Sequence, residues 1–232
     1  MTTNAYRPPG AFDLIPPVIK NLLIINALAF LAFQLPALSG FMQQWLPLWP
    51  AGTPRVAAGP GGEPTAVPQF YPWQLVTSAF LHGGFGHILF NMFGLWIFGM
   101  RIEQTLGSRR FLTFYFACVL GASVLQLLVT SAPFLFGIGE PRIVPTLGAS
   151  GGVLGVLAAF ALLYPDEPIY LYFLFPIPAK WLALGLAALD LYNGVVGTAS
   201  GIAHFAHLGG MLVGVLLIQH WRGRLLPRHR AR

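Results

Sequence analysis

Apolar residues recur along the chain in long runs separated by short polar or glycine- and proline-rich breaks. At roughly 20 residues per membrane-spanning helix, the pattern predicts six segments: Val18 to Leu38, Leu81 to Ile102, Phe111 to Leu135, Ser150 to Tyr164, Pro178 to Val196 and Ile202 to Trp221. The fourth is short and opens in Gly148-Ala149-Ser150-Gly151-Gly152. A helix starting below the membrane surface accounts for both features, because non-helical backbone at that depth is tolerated only where protein or a water-filled cavity surrounds it. The expected architecture is an all-α membrane bundle of six transmembrane helices enclosing a wet cavity. Between the first two segments, Ser39 to Gln74 carries Trp45, Trp49, Phe70, Tyr71 and Trp73 among prolines and glycines. This long outer-face loop is expected to lie in the interfacial belt that Trp and Tyr prefer, with Thr53 to Pro68 as its floppiest part.

Composition supports the membrane reading. Of 232 residues, 56% are hydrophobic and 9% charged, with a mean hydropathy of +0.68, whereas soluble domains carry about a quarter charged residues. The net charge of +6 does not point to nucleic acid, because the cations sit at the ends of apolar segments rather than in a stripe. With the amino terminus cytoplasmic, eleven of them (Arg7, Lys20, Arg101, Arg109, Arg110, Lys180 and Arg222, Arg224, Arg228, Arg230, Arg232) fall inside and two, Arg55 and Arg142, outside. That asymmetry fixes the expected orientation. It divides the chain into a cytoplasmic segment 1–17, a membrane domain 18–221 and a basic cytoplasmic tail 222–232. Met1 to Pro17 lacks the short basic start of a cleavable signal peptide, and the absence of targeting features favours a prokaryotic inner membrane. The lone Cys118 lies in an apolar run and offers neither a disulfide nor a cysteine-based metal site.

Strongly polar groups inside spanning helices are expensive, so each is a functional hypothesis. Here they cluster: His82, His87 and Asn91 at the start of the second segment, Ser150 at the start of the fourth, His204 and His207 at the start of the sixth. Even-numbered segments run inward from the outer face, so all six residues fall in the outer half of the membrane. Gly151 and Gly155, like Gly210 and Gly214, are four apart on one helix face, a spacing that lets helix backbones approach closely. If the fourth and sixth helices pack through them, Ser150 meets His207. A serine hydroxyl is a weak nucleophile until a neighbouring imidazole removes its proton, and amide attack also needs donors aimed at the developing oxyanion. His87, Asn91 and the Ser150 backbone N–H at its helix start are the candidates.

The match to a known family is specific. His82-Gly-Gly-Phe-Gly-His87-Ile-Leu-Phe-Asn91, Gly148-Ala149-Ser150-Gly151, His207-Leu-Gly-Gly210-Met-Leu-Val-Gly214 and Glu103-Gln-Thr-Leu106-Gly107-Ser108 together resemble the rhomboid intramembrane serine proteases, over about Val18 to Trp221. The resemblance implies a Ser–His dyad with no acidic third member, Ser150 as nucleophile and His207 as base, and oxyanion contacts from His87, Asn91 and the Ser150 backbone. It further implies cleavage of a substrate's transmembrane segment near the outer face, with no cofactor. Two positions depart from the family pattern: its first-loop Trp-Arg pair stands here as Trp73-Gln74, and the aromatic that often stacks on the base stands as Leu154. His204 is read as a polar residue at the cavity rim. Asp190, with Tyr192 and Asn193 nearby, needs no catalytic role and is read as an interhelical hydrogen bond or a protonated acid.

Two other readings remain open. His82, His87, His204 and His207 could ligate zinc, although no His-Glu-x-x-His supplies a base. An inert binder of transmembrane helices would use the same cavity without the chemistry, but would be expected to lack Ser150 or His207.

Overall fold

The computed structural model describes residues 15–58, 62–139, 141–171, 174–196 and 203–225. Nearly all of the expected amino-terminal segment, and the basic tail beyond residue 225, lie outside these. In chain order the elements are α1 (Pro17–Gln34), α2 (Pro36–Trp45), β1 (Val56–Ala58), β2 (Pro64–Ala66), α3 (Gln74–Thr77), α4 (Phe85–Leu106), α5 (Ser108–Phe136), α6 (Ser150–Leu163), β3 (Pro168–Leu171), β4 (Phe175–Pro178), α7 (Ala179–Val196) and α8 (His204–Leu225). The molecule is the expected all-α bundle, to which the antiparallel hairpins β1–β2 and β3–β4 are short additions.

Local chemistry sets where the helices stop. The first expected segment ends four residues early, because Leu35 precedes Pro36 and is driven to an extended conformation (φ −78°, ψ 122°). Pro36 then opens α2 at its first turn, where the missing N–H costs nothing. The second segment begins at Phe85 rather than Leu81, since Leu81 and Gly84 are both extended. His82 therefore lies in the connection before α4, not on the helix.

The turn from α4 to α5 is a single residue, Gly107, at φ 76°. Glu103 clips it. Its carboxylate, 2% exposed, accepts the Ser108 hydroxyl at 2.7 Å and the backbone N–H groups of Val18 and Ile19 at 3.0 and 2.8 Å. One carboxylate thus faces the first turn of α1, where a helix leaves N–H groups unsatisfied and favours negative charge, and also holds the first residue of α5. Glu103→Ala strands those donors and is expected to lower unfolding stability in detergent by about 3 kcal/mol, with Glu103→Gln losing less. An unchanged thermal midpoint in Glu103→Ala would show that the clip contributes nothing.

At the centre stands α6, with ten of its fourteen residues buried and α4, α5, α7 and α8 packed around it. A helix apolar on every side belongs in such a position. At 1.5 Å per residue it is about 21 Å long, short of the roughly 30 Å hydrocarbon core, as a helix starting beneath the membrane surface must be. α1, α4 and α5 are each long and apolar enough to cross a membrane. Their outer faces, and those of α7 and α8, carry exposed Leu28, Leu31, Phe90, Leu128, Leu184 and Leu216. So much contiguous apolar surface is a liability in water and is what lipid requires. This is a membrane protein.

Close approach comes from glycine, as the four-residue spacing predicts. A Cβ on Gly210 would collide with the carbonyl of Gly151 in α6, and one on Gly214 would lie 2.7 Å from the carbonyl oxygen of Gly155. Backbone touches backbone along this seam, and it brings the first turns of α6 and α8 together.

Candidate active site

At that junction His207 Nε2 lies 2.7 Å from Ser150 Oγ, joining residues 57 apart in the sequence. Ser150 is the first residue of α6 and His207 sits in the first turn of α8. Both line a cavity of about 550 Å³ together with His87, Asn91, Gln126 and Thr146. The structure thus brings together four of the residues singled out from sequence: Ser150, His207, His87 and Asn91.

The backbone before the serine is shaped for the approach. Gly148 has φ 129°, a region L side chains avoid, and a Cβ there would lie 2.7 Å from His87 Nε2. Its N–H donates to the Ser78 carbonyl at 2.9 Å, which fixes the turn into α6. Gly151, one residue past the serine, faces Ala122 of α5 and the Ala206 carbonyl of α8 with no room for a side chain. As N1 of its helix, Ser150 presents an N–H with no intrahelical acceptor. His87 Nδ1 accepts the Gly83 N–H at 3.4 Å, which leaves Nε2 as the protonated nitrogen facing the cavity. Asn91 spends one amide hydrogen on the His87 carbonyl at 3.0 Å and keeps a second. His87, Asn91 and Ser150 line the same cavity. His82 is buried behind them, its ring edge-on to His87 with centroids 5.1 Å apart, so it backs His87 rather than lining the cavity.

Two sequence expectations change here. His204 is not at the cavity rim: it is 6% exposed, and its Nδ1 lies 2.6 Å from Asp190 Oδ1. An acidic residue does reach the histidine paired with Ser150, since both Asp190 carboxylate oxygens lie 3.1 Å from His207 Nδ1. The interhelical hydrogen bond expected of Asp190 is present, from α7 to α8, and it is double. The four histidines weighed as zinc ligands are not gathered into one set. Among the described residues the group whose ligand atoms come within 4.8 Å of one another is Asp190, His204 and His207.

Two polar residues that sequence reasoning did not single out hold the site. Gln126 in α5 accepts the Ala206 N–H of α8 at 3.2 Å and donates to Thr146 at 3.3 Å, so one amide ties α8 to the segment before Ser150. Its signal was available, as a polar residue inside an apolar run. Thr146 also pairs its backbone with Leu48 in both directions at 2.9 Å, which fastens the long loop to the cavity wall. The substitution of Gln74 for the family's arginine does not release that loop. Gln74 is fully buried, donates to the Trp45 and Gln69 carbonyls and accepts from the Trp49 N–H, all within 3.2 Å. Trp73 adds a bond to the Trp45 carbonyl at 3.0 Å and stacks on Tyr71 with centroids 4.6 Å apart.

Comparison with known proteins agrees with the geometry. The Rhomboid domain family matches residues 69–222. Similar proteins include the mitochondrial RHOMBOID-like protein 12 of Arabidopsis thaliana, 37% identical over 61% of this chain and 44% of its own length. Another is the mitochondrial Rhomboid protein 1 of Saccharomyces cerevisiae, 30% identical over 91% of this chain and 58% of its own. A third is the mitochondrial Presenilin-associated rhomboid-like protein A of Danio rerio, 29% identical over 89% of this chain and 49% of its own. The chain spans about half the length of these relatives. Their names place them in mitochondria, so they lend no support to the prokaryotic membrane expected from sequence. With the family matched across two thirds of this chain's length and three of the four motifs converging on one cavity, the chain belongs to the rhomboid family, whose members are generally intramembrane serine proteases.

Proposed function

We propose that this protein is a serine-type intramembrane endopeptidase that cuts the transmembrane segments of other membrane proteins. The observation that carries the reading is the 2.7 Å contact between His207 Nε2 and Ser150 Oγ at a cavity wall, within the range a general base needs. Ser150 Oγ attacks the scissile carbonyl carbon while His207 Nε2 takes the hydroxyl proton. The oxyanion is received by the Ser150 N–H, His87 Nε2–H and Asn91, in a site where fixed donors act at low dielectric. Collapse breaks the C–N bond, and the departing amine leaves with the proton held by His207. Water then attacks the acyl-serine, passing one proton to His207, which returns it to Ser150 Oγ as the carboxylate product is released.

Three arginines of α4 and α5 lie at the end of the bundle opposite the site. Arg101 near the end of α4 and Arg109 and Arg110 at the start of α5 share one end, where Arg101 stacks 5.0 Å over Tyr164 beyond α6, while Ser150 and His207 open the other ends of their helices. This supports cleavage near the face opposite the positive one, with the start of α1 and the end of α8 on the positive side.

The test is cleavage of a synthetic single-span substrate by the purified full chain in detergent, with the cut located by mass spectrometry and a chelator added in parallel. Cleavage within the span that a chelator leaves intact is the expected result. The Asp190, His204 and His207 cluster makes the chelator arm necessary, since two imidazoles and a carboxylate are a zinc-type donor set. Loss of cleavage with chelator would favour that metal reading, and binding of the span without any cut would favour an inert binder.

A further inference from the structure

Resting on the protease reading, we propose that Asp190 is a positioning residue for that reaction: it orients His207 through Nδ1 and is itself held by His204, so that the working unit is Ser150–His207–Asp190–His204 rather than a pair. An ionised carboxylate has acceptors only, so the His207 Nδ1 facing both Asp190 oxygens at 3.1 Å must carry the hydrogen. That tautomer leaves Nε2 with a free lone pair, and Nε2 is the atom 2.7 Å from the Ser150 hydroxyl. The carboxylate therefore selects the form of His207 that can act as a base. Once His207 has taken the serine proton, the same carboxylate stands beside a cation in a poorly solvated site and stabilises it.

Two further observations support the role. Asp190 lies within α7, 8% exposed, and an ionisable group buried in a membrane helix is too costly to stand without a partner. His204 supplies a second Nδ1 at 2.6 Å from Oδ1. It is three residues before His207 on α8, so both rings reach the same carboxylate. A merely structural tie between α7 and α8 would be met by the shorter His204 bond alone; the second bond, to His207, is the one that a structural role leaves unexplained.

The experiment compares purified full-chain wild type, Asp190→Asn and Asp190→Glu for kcat and KM on the synthetic single-span substrate, for fluorophosphonate labelling of Ser150, and for thermal unfolding. Asparagine can donate to Nδ1 and so favour the wrong tautomer. By that mechanism Asp190→Asn is expected to lower kcat and the labelling rate by about 10³- to 10⁴-fold, with KM within about twofold, and Asp190→Glu to recover at least tenfold of the loss. To separate positioning from helix tethering, Asp190→Leu/His204→Leu replaces the buried polar pair by apolar contact, an exchange that often leaves stability intact. A folded double variant with low kcat supports the role even if Asp190→Asn does not fold. Wild-type kcat in either folded variant overturns it. A wild type that binds substrate but neither cleaves it nor labels at Ser150 removes the protease reading itself, a different failure from an active enzyme indifferent to Asp190.

Discussion

Alanine at Ser150, or at His207, is expected to lower kcat by about 10⁶-fold, and the double variant by no more than either single change, because groups that act as one unit fail as one unit. Among the described residues, the acceptor at hydrogen-bonding distance for the proton that leaves Ser150 Oγ is His207 Nε2 at 2.7 Å. Removing the acceptor leaves a neutral hydroxyl, and removing the hydroxyl leaves a base with nothing to activate. Stability should separate from activity. Ser150→Ala deletes one half-buried hydrogen bond, about 1 kcal/mol. His207→Ala also strips a partner from the buried Asp190 carboxylate, and an unpaired buried polar group costs more than a lost bond, about 1–3 kcal/mol. The check is single-turnover kinetics on the synthetic single-span substrate, with thermal unfolding of each protein alongside. Losses that multiply in the double variant would mean that the two side chains serve separate steps. Cleavage by Ser150→Ala would move the nucleophile elsewhere.

Much of this site was legible in the sequence because its logic is local. Ser150 lies within Gly148-Ala149-Ser150-Gly151-Gly152, a run that a helix start explains, and the four-residue spacings of Gly151 with Gly155 and Gly210 with Gly214 state which faces meet. Helix ends were less legible. Leu35 and Gly84 are turned by backbone preferences of one or two residues, which an apolar average over 20 positions smooths away. The acidic partner was visible as an anomaly but not as a contact: Asp190 and His207 are 17 residues apart on different helices, and no periodicity within either helix relates them. Gln74, at a departure from the family pattern, anchors the loop without charge: its amide makes two donated bonds and one accepted.

The seam between α6 and α8 is where sequence, packing and chemistry meet most sharply, and Gly210→Leu is expected to abolish cleavage. The atoms a Cβ would strike at Gly210 are the carbonyl and Cα of Gly151, which are backbone and cannot rotate aside as a side chain would. The helices must separate. Ser150 directly precedes Gly151 on α6, and His207 lies one turn before Gly210 on α8, so the separation falls on the 2.7 Å contact itself. A misplacement of about 1 Å at reacting groups costs on the order of 10²-fold in rate, and Leu adds three more carbons beyond the Cβ that already collides. Gly210→Ala should therefore fall at least 10²-fold and Gly210→Leu below detection, each with a lowered thermal midpoint. Gly185→Leu is the matched control, since a Cβ there meets nothing within 4 Å on the outer side of α7, and it should cleave like wild type. Full activity in Gly210→Leu would show that the two helices can part without separating serine from histidine, and the argument from glycine spacing to catalytic contact would fall with it.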